Sequence, residues 1–229
     1  MTNTSRRRKS VWSTAFAVLA LIGIWRFAPT SHPGCDAYTP IKGKVLIAHA
    51  GGGLPAATYT NDIEAMDLAY RNGLRLIEID FMHSGGIVLA HDSADRNVVQ
   101  LVDLLNWMRA HPDVLIITDF KTNNVSGLRI LAAASGDLRD RFIPQIYHPS
   151  EYSLVKKLGF RKPIFTLYRL PSYYKWEKFA EHVDIFAVTM PVERAGQAHF
   201  TSKPVFLHTV NQDFNMDVTG FYTDCLIPG

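Results

Sequence analysis

From Lys44 to the C-terminus, eight short runs of strand character alternate with stretches of helical period, and this alternation constrains the fold most tightly. The strands are expected at Val45–Ala48, Arg75–Phe81, Val114–Phe120, Phe142–Tyr147, Ile164–Tyr168, Ile185–Thr189, Val205–His208 and Gly220–Thr223. The second continues past a Gly85-Gly86 turn as Ile87–His91, and the two pieces count as one unit. Between them, Asn61 and Glu64 have capping-box spacing, and Gly73 stops a helix carrying Ile63, Met66 and Tyr70 on one side. Further helices are expected at Gln100–Ala110, Val125–Ser135, Pro149–Leu158, Ser172–His182 and Pro191–Ala198, with a single turn at Gln212–Met216. Strands alternating with helices predict parallel βαβ units. Eight strands close a (β/α)8 TIM-type barrel of α/β class, whose usual size is ~250 residues. An open doubly wound sheet is the competing architecture.

The N-terminus obeys different rules. Arg6, Arg7, Arg8 and Lys9 precede Val11–Trp25, a mostly apolar run without a charged residue. A basic flank and an apolar run mark a signal peptide or an N-terminal membrane anchor, with the domain on the extracytoplasmic side. Such a helix spans only ~22 Å against the ~30 Å of hydrocarbon, so an anchor there has to be thin or tilted. The expected division is a basic N-terminus and hydrophobic helix over 1–28, a Pro/Gly-rich linker over 29–43, and a barrel domain over 44–229. The chain's net charge is +3, and that basic cluster supplies four positives, leaving the rest with one net negative charge. A near-neutral domain argues against a nucleic-acid surface. The two cysteines, Cys35 and Cys225, either pair in an oxidising compartment or remain separate thiols.

In a barrel of this kind, functional groups collect where strands end. Glu78 and Asp80, two apart on one strand, project to the same face, and two like charges side by side need a compensating cation or donors. Asp119 and Lys121 share parity on the next barrel strand. Three acids, Glu78, Asp80 and Asp119, suit a hard divalent cation such as Mg²⁺ or Ca²⁺. His49 and His91 end their strands on either side of the carboxylate pair, and imidazoles suit general acid and base work. The Gly51-Gly52-Gly53 run after His49 lets backbone approach a ligand closely. With a lysine, the set fits phosphodiester hydrolysis, in which charge on phosphate oxygens must be stabilised. The bland alternatives are a structural network joining Glu78 and Asp80 to Arg75 or Lys121, and a simple Asp119–Lys121 surface pair.

His49-Ala50-Gly51, Asn61, Glu78-Ile79-Asp80 and His91-Asp92, in that order, resemble the core of the glycerophosphodiester phosphodiesterases. Thr118-Asp119-Phe120-Lys121 resembles that family's Glu-x-Lys strand, His208-Thr209-Val210-Asn211 its Trp-Thr-Val-Asn motif, and Gly220–Asp224 its closing strand. The resemblance implies a (β/α)8 barrel that splits a glycerophosphodiester into glycerol 3-phosphate and an alcohol. It implies Glu78, Asp80 and Asp119 as metal ligands, His49 and His91 as the acid/base pair, and Lys121 on the phosphate. Asn61 and His208 fall in the substrate-binding part of its motifs. The chain departs from the family at Ala50, where Arg is usual, at Asp119 for Glu, and at His208 for Trp; a Glu of the family's Pro-Glu-Asn-Thr run is missing. Arg169, after the fifth strand, is the cation placed to replace the missing arginine. Two other readings compete: a barrel that binds a phosphorylated ligand without turning it over, and a metal-independent, phospholipase-C-like lyase.

Overall fold

The computed structural model describes residues 43–54, 57–83, 86–92, 98–211 and 215–225. The hydrophobic segment expected within 1–28 and nearly all of the 29–43 linker lie outside the described residues. Among the described residues no helix is long and apolar enough to cross a membrane.

The described strands are β1 (Val45–Ala48), β2 (Leu76–His83), β3 (Ile87–Leu89), β4 (Val99–Gln100), β5 (Leu115–Phe120), β6 (Phe142–Ile146), β7 (Ile164–Thr166), β8 (Ala187–Pro191), β9 (Val205–His208) and β10 (Gly220–Thr223). Eight of them run parallel in the order β1-β10-β9-β8-β7-β6-β5-β2, and β2 pairs back onto β1. That last pairing closes the ring and excludes the open sheet. The Ile87 run departs from expectation: β3 folds back antiparallel on β2, with Phe81 opposite Leu89, and β4 extends this hairpin outside the ring.

The helices are α1 (Ile63–Arg71), α2 (Leu101–Ala110), α3 (Asn124–Ala134), α4 (Glu151–Lys157) and α5 (Glu177–His182). Asp62, not Asn61, caps α1, its Oδ1 accepting from the Ala65 N–H at 2.8 Å. Helix α5 starts five residues later than expected, and residues 192–200 form a 3-10 helix. The first turn of the chain after β1, His49–Gly51, is also 3-10, with Ala50 in the left-handed region at φ 49°.

Strand parity builds two cores. Outward-facing Ile77, Ile79, Phe81, Ile116 and Phe120 are fully buried against the helices. Burying each such side chain contributes roughly 1.5–3 kcal/mol. Inward-facing Ile47, Ile117, Ile143, Ile164, Ala187, Phe206 and Tyr222 fill the barrel interior. Successive side chains on a strand alternate faces, so the residues two steps further along these strands also point inward. They are His49, Asp119, Gln145, Thr166, Thr189, His208 and Asp224, and on β2 Glu78 and Asp80 follow Leu76 in the same parity. A plug of aliphatic side chains therefore carries a polar layer at the C-terminal mouth.

Candidate active site

The three acids meet because of register. On β2 and β5, Asp80 lies directly opposite Asp119 and Glu78 opposite Ile117. Glu78 and Asp80 are fully buried, and ligand oxygens of Glu78, Asp80 and Asp119 all fall within 4.8 Å of one another. Lys121 sits between two of them, with Nζ 2.8 Å from Asp119 Oδ2 in a hydrogen bond. The same Nζ lies 2.7 Å from Asp80 Oδ1 as an ion pair, at an angle outside hydrogen-bond geometry. Burial by itself would lower the lysine's pKa, but Asp119, Asp80 and Glu78 together outweigh it and hold the ammonium above its ordinary value.

One lysine does not balance three carboxylates. The Glu78 carboxyl is pushed well above its ordinary pKa by desolvation first, then by Asp80 and Asp119. Its Oε2 accepts the Ala50 N–H at 2.8 Å, whereas Oε1 is buried without a hydrogen-bond partner. An orphaned buried oxygen in a cluster of three carboxyls with one lysine is what a divalent cation would satisfy. The donor set, all oxygen, fits a hard ion such as Mg²⁺ or Ca²⁺.

Asn61, expected to bind substrate, does something else. It is fully buried at φ 52°, its Nδ2 donates to Asp80 Oδ2 at 3.0 Å, and its Oδ1 accepts the Asp80 N–H at 2.9 Å. Both ends of the amide are occupied by Asp80, so Asn61 orients a carboxylate rather than a ligand. The left-handed backbone, which Asn tolerates better than most residues, puts it there.

His49 is 2% exposed at the end of β1. Its Nδ1 lies 2.7 Å from Asp224 Oδ1, and its Nε2 lies 3.9 Å from Glu78 Oε2. Asp224 is held in turn by Asn211, whose Nδ2 donates to Asp224 Oδ2 at 2.7 Å and whose Oδ1 accepts the Asp224 N–H at 2.9 Å. An acidic acceptor at Nδ1 fixes the ring with Nδ1–H toward Asp224 and Nε2 toward the acids. Cys225, the next residue, is disulfide-bonded. The chain's other cysteine, Cys35, lies outside the described residues.

His91 occupies the rim. It is 46% exposed, and the Tyr59 ring stands between it and His49, with centroids 5.4 Å from His91 and 4.6 Å from His49. His208 contacts His49 directly, at 4.4 Å between centroids. Arg169 is exposed and stacks on Tyr147 with Cζ 3.9 Å from the ring centroid, and the Tyr147 hydroxyl donates to Asp119 Oδ1. The guanidinium therefore sits at the mouth beside the third acid. At position 50, where the resemblance expects an arginine, the alanine side chain is fully buried and the N–H is committed to Glu78.

Sequence reasoning placed Asp224 at a strand end and Asn211 within a motif but gave neither a role, and it did not single out Tyr59, Tyr147 or Tyr168. Parity offered the signal for Asp224, which is two residues beyond interior Tyr222. For Asn211 and Tyr59, both on connecting loops, no period exists to read.

No protein-family model matches the chain, and no curated protein matches it in sequence. Solved structures do. A glycerophosphodiester phosphodiesterase from Parabacteroides distasonis superposes with a TM-score of 0.61 at 14% identity, over 80% of this chain and 93% of that one. One from Thermotoga maritima gives 0.60 at 17%, over 81% and 96%. An Oleispira antarctica phosphodiesterase in complex with its product sn-glycerol-3-phosphate gives 0.59 at 16%, over 80% and 93%. What these similarities establish, together with the closed ring of parallel strands, is that the chain has the (β/α)8 fold seen in glycerophosphodiester phosphodiesterases.

Proposed function

We propose that this protein is a metal-assisted phosphodiesterase acting on a small glycerophosphodiester-like substrate, releasing glycerol 3-phosphate or an analogous phosphomonoester and an alcohol. The observation that carries the reading is the cluster of Glu78, Asp80 and Asp119, with Glu78 Oε1 buried and unsatisfied, next to a histidine locked to a buried acid. The order of motifs in the sequence and the shared fold support it.

Glu78, Asp80 and Asp119 would hold the divalent cation, which supplies Lewis-acid stabilisation of charge on phosphoryl oxygens. Asn61 keeps Asp80 aimed, and the Ala50 N–H does the same for Glu78. Lys121 neutralises part of the trio and, with Arg169 on the far side of Asp119 and Tyr147, brings positive charge to the phosphate. Arg169 thereby takes over the clamp that Ala50 cannot provide. His49 exchanges a proton at Nε2, facing the acids, while Asp224 and Asn211 keep its ring in place. A second imidazole completes the pair: the resemblance assigns it to His91, whereas the ring in contact with His49 is that of His208. The apolar segment at the N-terminus would hold the domain at a membrane, on its extracytoplasmic side.

Hydrolysis of bis(p-nitrophenyl) phosphate and glycerophosphocholine, with and without EDTA, tests the reading. Turnover abolished by EDTA and restored by Mg²⁺ or Ca²⁺ is expected. No turnover with any divalent ion would leave a ligand-binding barrel, and EDTA-resistant turnover with a cyclic phosphate product would identify a lyase instead.

A further inference from the structure

Resting on the hydrolytic reading, and going beyond it, we infer that His208 is a catalytic residue: its Nε2 takes the proton from the attacking water, opposite His49. The hydrogen bonds around the ring fix where its lone pair is. Tyr168 Oη lies 2.5 Å from the His208 carbonyl oxygen and 2.7 Å from His208 Nδ1. A carbonyl oxygen only accepts, so the single phenolic proton goes there. The contact with Nδ1 then needs a proton from the ring, which makes Nδ1 the protonated nitrogen. Thr209 Oγ1, 3.0 Å from the same Nδ1, serves as a second acceptor. Nε2, on the opposite edge, is left as an acceptor.

Parity directs the side chain toward the barrel mouth, since His208 is two residues beyond interior Phe206. The ring meets His49 and Tyr222 at 4.4 and 4.7 Å, and it remains half-buried, so a small molecule reaches it. Desolvation first, then the neighbouring His49 and Lys121, oppose a positive charge on it. His49 has different neighbours: its ring lies against the carboxylates of Asp224 and Glu78. In the step itself, water gives a proton to His208 Nε2 as its oxygen bonds to phosphorus. The phosphorus–oxygen bond to the alcohol breaks, and His49 Nε2–H protonates the departing oxygen. His208 then carries the extra proton and His49 lacks one, and exchange with solvent restores both. His91 is not needed for either transfer.

The test compares His208→Ala and His208→Gln on glycerophosphocholine with saturating Mg²⁺. Loss of roughly 10²–10⁴ in kcat is expected for both His208 variants, at little change in KM. Partial rescue of His208→Ala by added imidazole is expected too. Parental kcat in His208→Ala, or a loss confined to KM, would overturn the inference. Ring-nitrogen NMR of the unmodified protein supplies a readout independent of turnover and of variant folding. It should show His208 as the Nδ1–H tautomer, with its Nε2 resonance moved by glycerol 3-phosphate while that of His91 stays. An Nε2–H tautomer, or a response at His91 alone, would overturn the assignment even if the phosphodiesterase reading held. Absent turnover in a parent protein that passes the NMR test would instead remove that reading.

Discussion

At the scale of single residues, the site is arranged against its own stability. Glu78 carries a charge that nothing among the described residues fully satisfies. A carboxyl whose pKa is higher folded than unfolded binds more protons in the folded state, so stability falls as pH rises through that interval. Metal-free protein should therefore lose thermal stability as pH climbs from about the ordinary 4.5 through the raised Glu78 value. Glu78→Gln should flatten that dependence, and melt higher than the parent at pH 8 without metal, while turnover disappears. A Glu78→Gln protein that melted lower, or turned over substrate normally, would contradict the ligand assignment. Asp224→Asn makes the complementary case. It keeps the shape but removes the charge and leaves one acceptor oxygen for two donors, His49 Nδ1–H and Asn211 Nδ2, so kcat should fall by roughly 10²–10⁴ with KM little changed. Steady-state kinetics separates this from a substrate-binding role, which would raise KM.

At the scale of elements, glycines report where backbone and side chains approach most closely. A Cβ on Gly127 of α3 would lie 2.2 Å from the Phe120 ring on β5. Gly127→Ala should thus lower stability by about 1–3 kcal/mol in denaturant unfolding and leave kcat intact, since it wedges a helix away from the outer face of the barrel. A Cβ on Gly53 would come 1.9 Å from the Asp224 carbonyl oxygen. Gly53→Ala should cost a similar amount and also depress kcat, because the displaced strand end carries the acid that holds His49. The strands themselves were legible from alternation, and β9 and β10 fall where expected to the residue. The α1 cap was not: Asn61 and Asp62 are adjacent capping-type residues, and the choice between them depends on Asp80, a partner 19 positions away. The β3 return was missed because a Gly-rich turn allows either continuation or reversal, and local pattern does not decide between them.

At the scale of the whole molecule, the trio, Lys121 and His49 were legible because parity and strand ends place them together. For Asn61 and His91, the loops carrying them have no period from which direction can be read. Metal should stabilise the entire barrel through that same layer. At an ion concentration one hundredfold above its Kd, linkage gives about 2.7 kcal/mol. For a domain of this size that is a rise in Tm of roughly 5–10 °C, measurable by calorimetry and removed by EDTA. The expected shift vanishes in Glu78→Ala, whose fold should otherwise survive.

His49 stands on the first strand and Asp224 just past the last, 175 positions apart, across the seam where β1 and β10 zip the cylinder shut. Competence for proton transfer is therefore a property that a growing polypeptide acquires late, all at once, when its final segment slots in beside its earliest. A version ending before residue 220 would have every metal ligand and no means of steering the imidazole they surround.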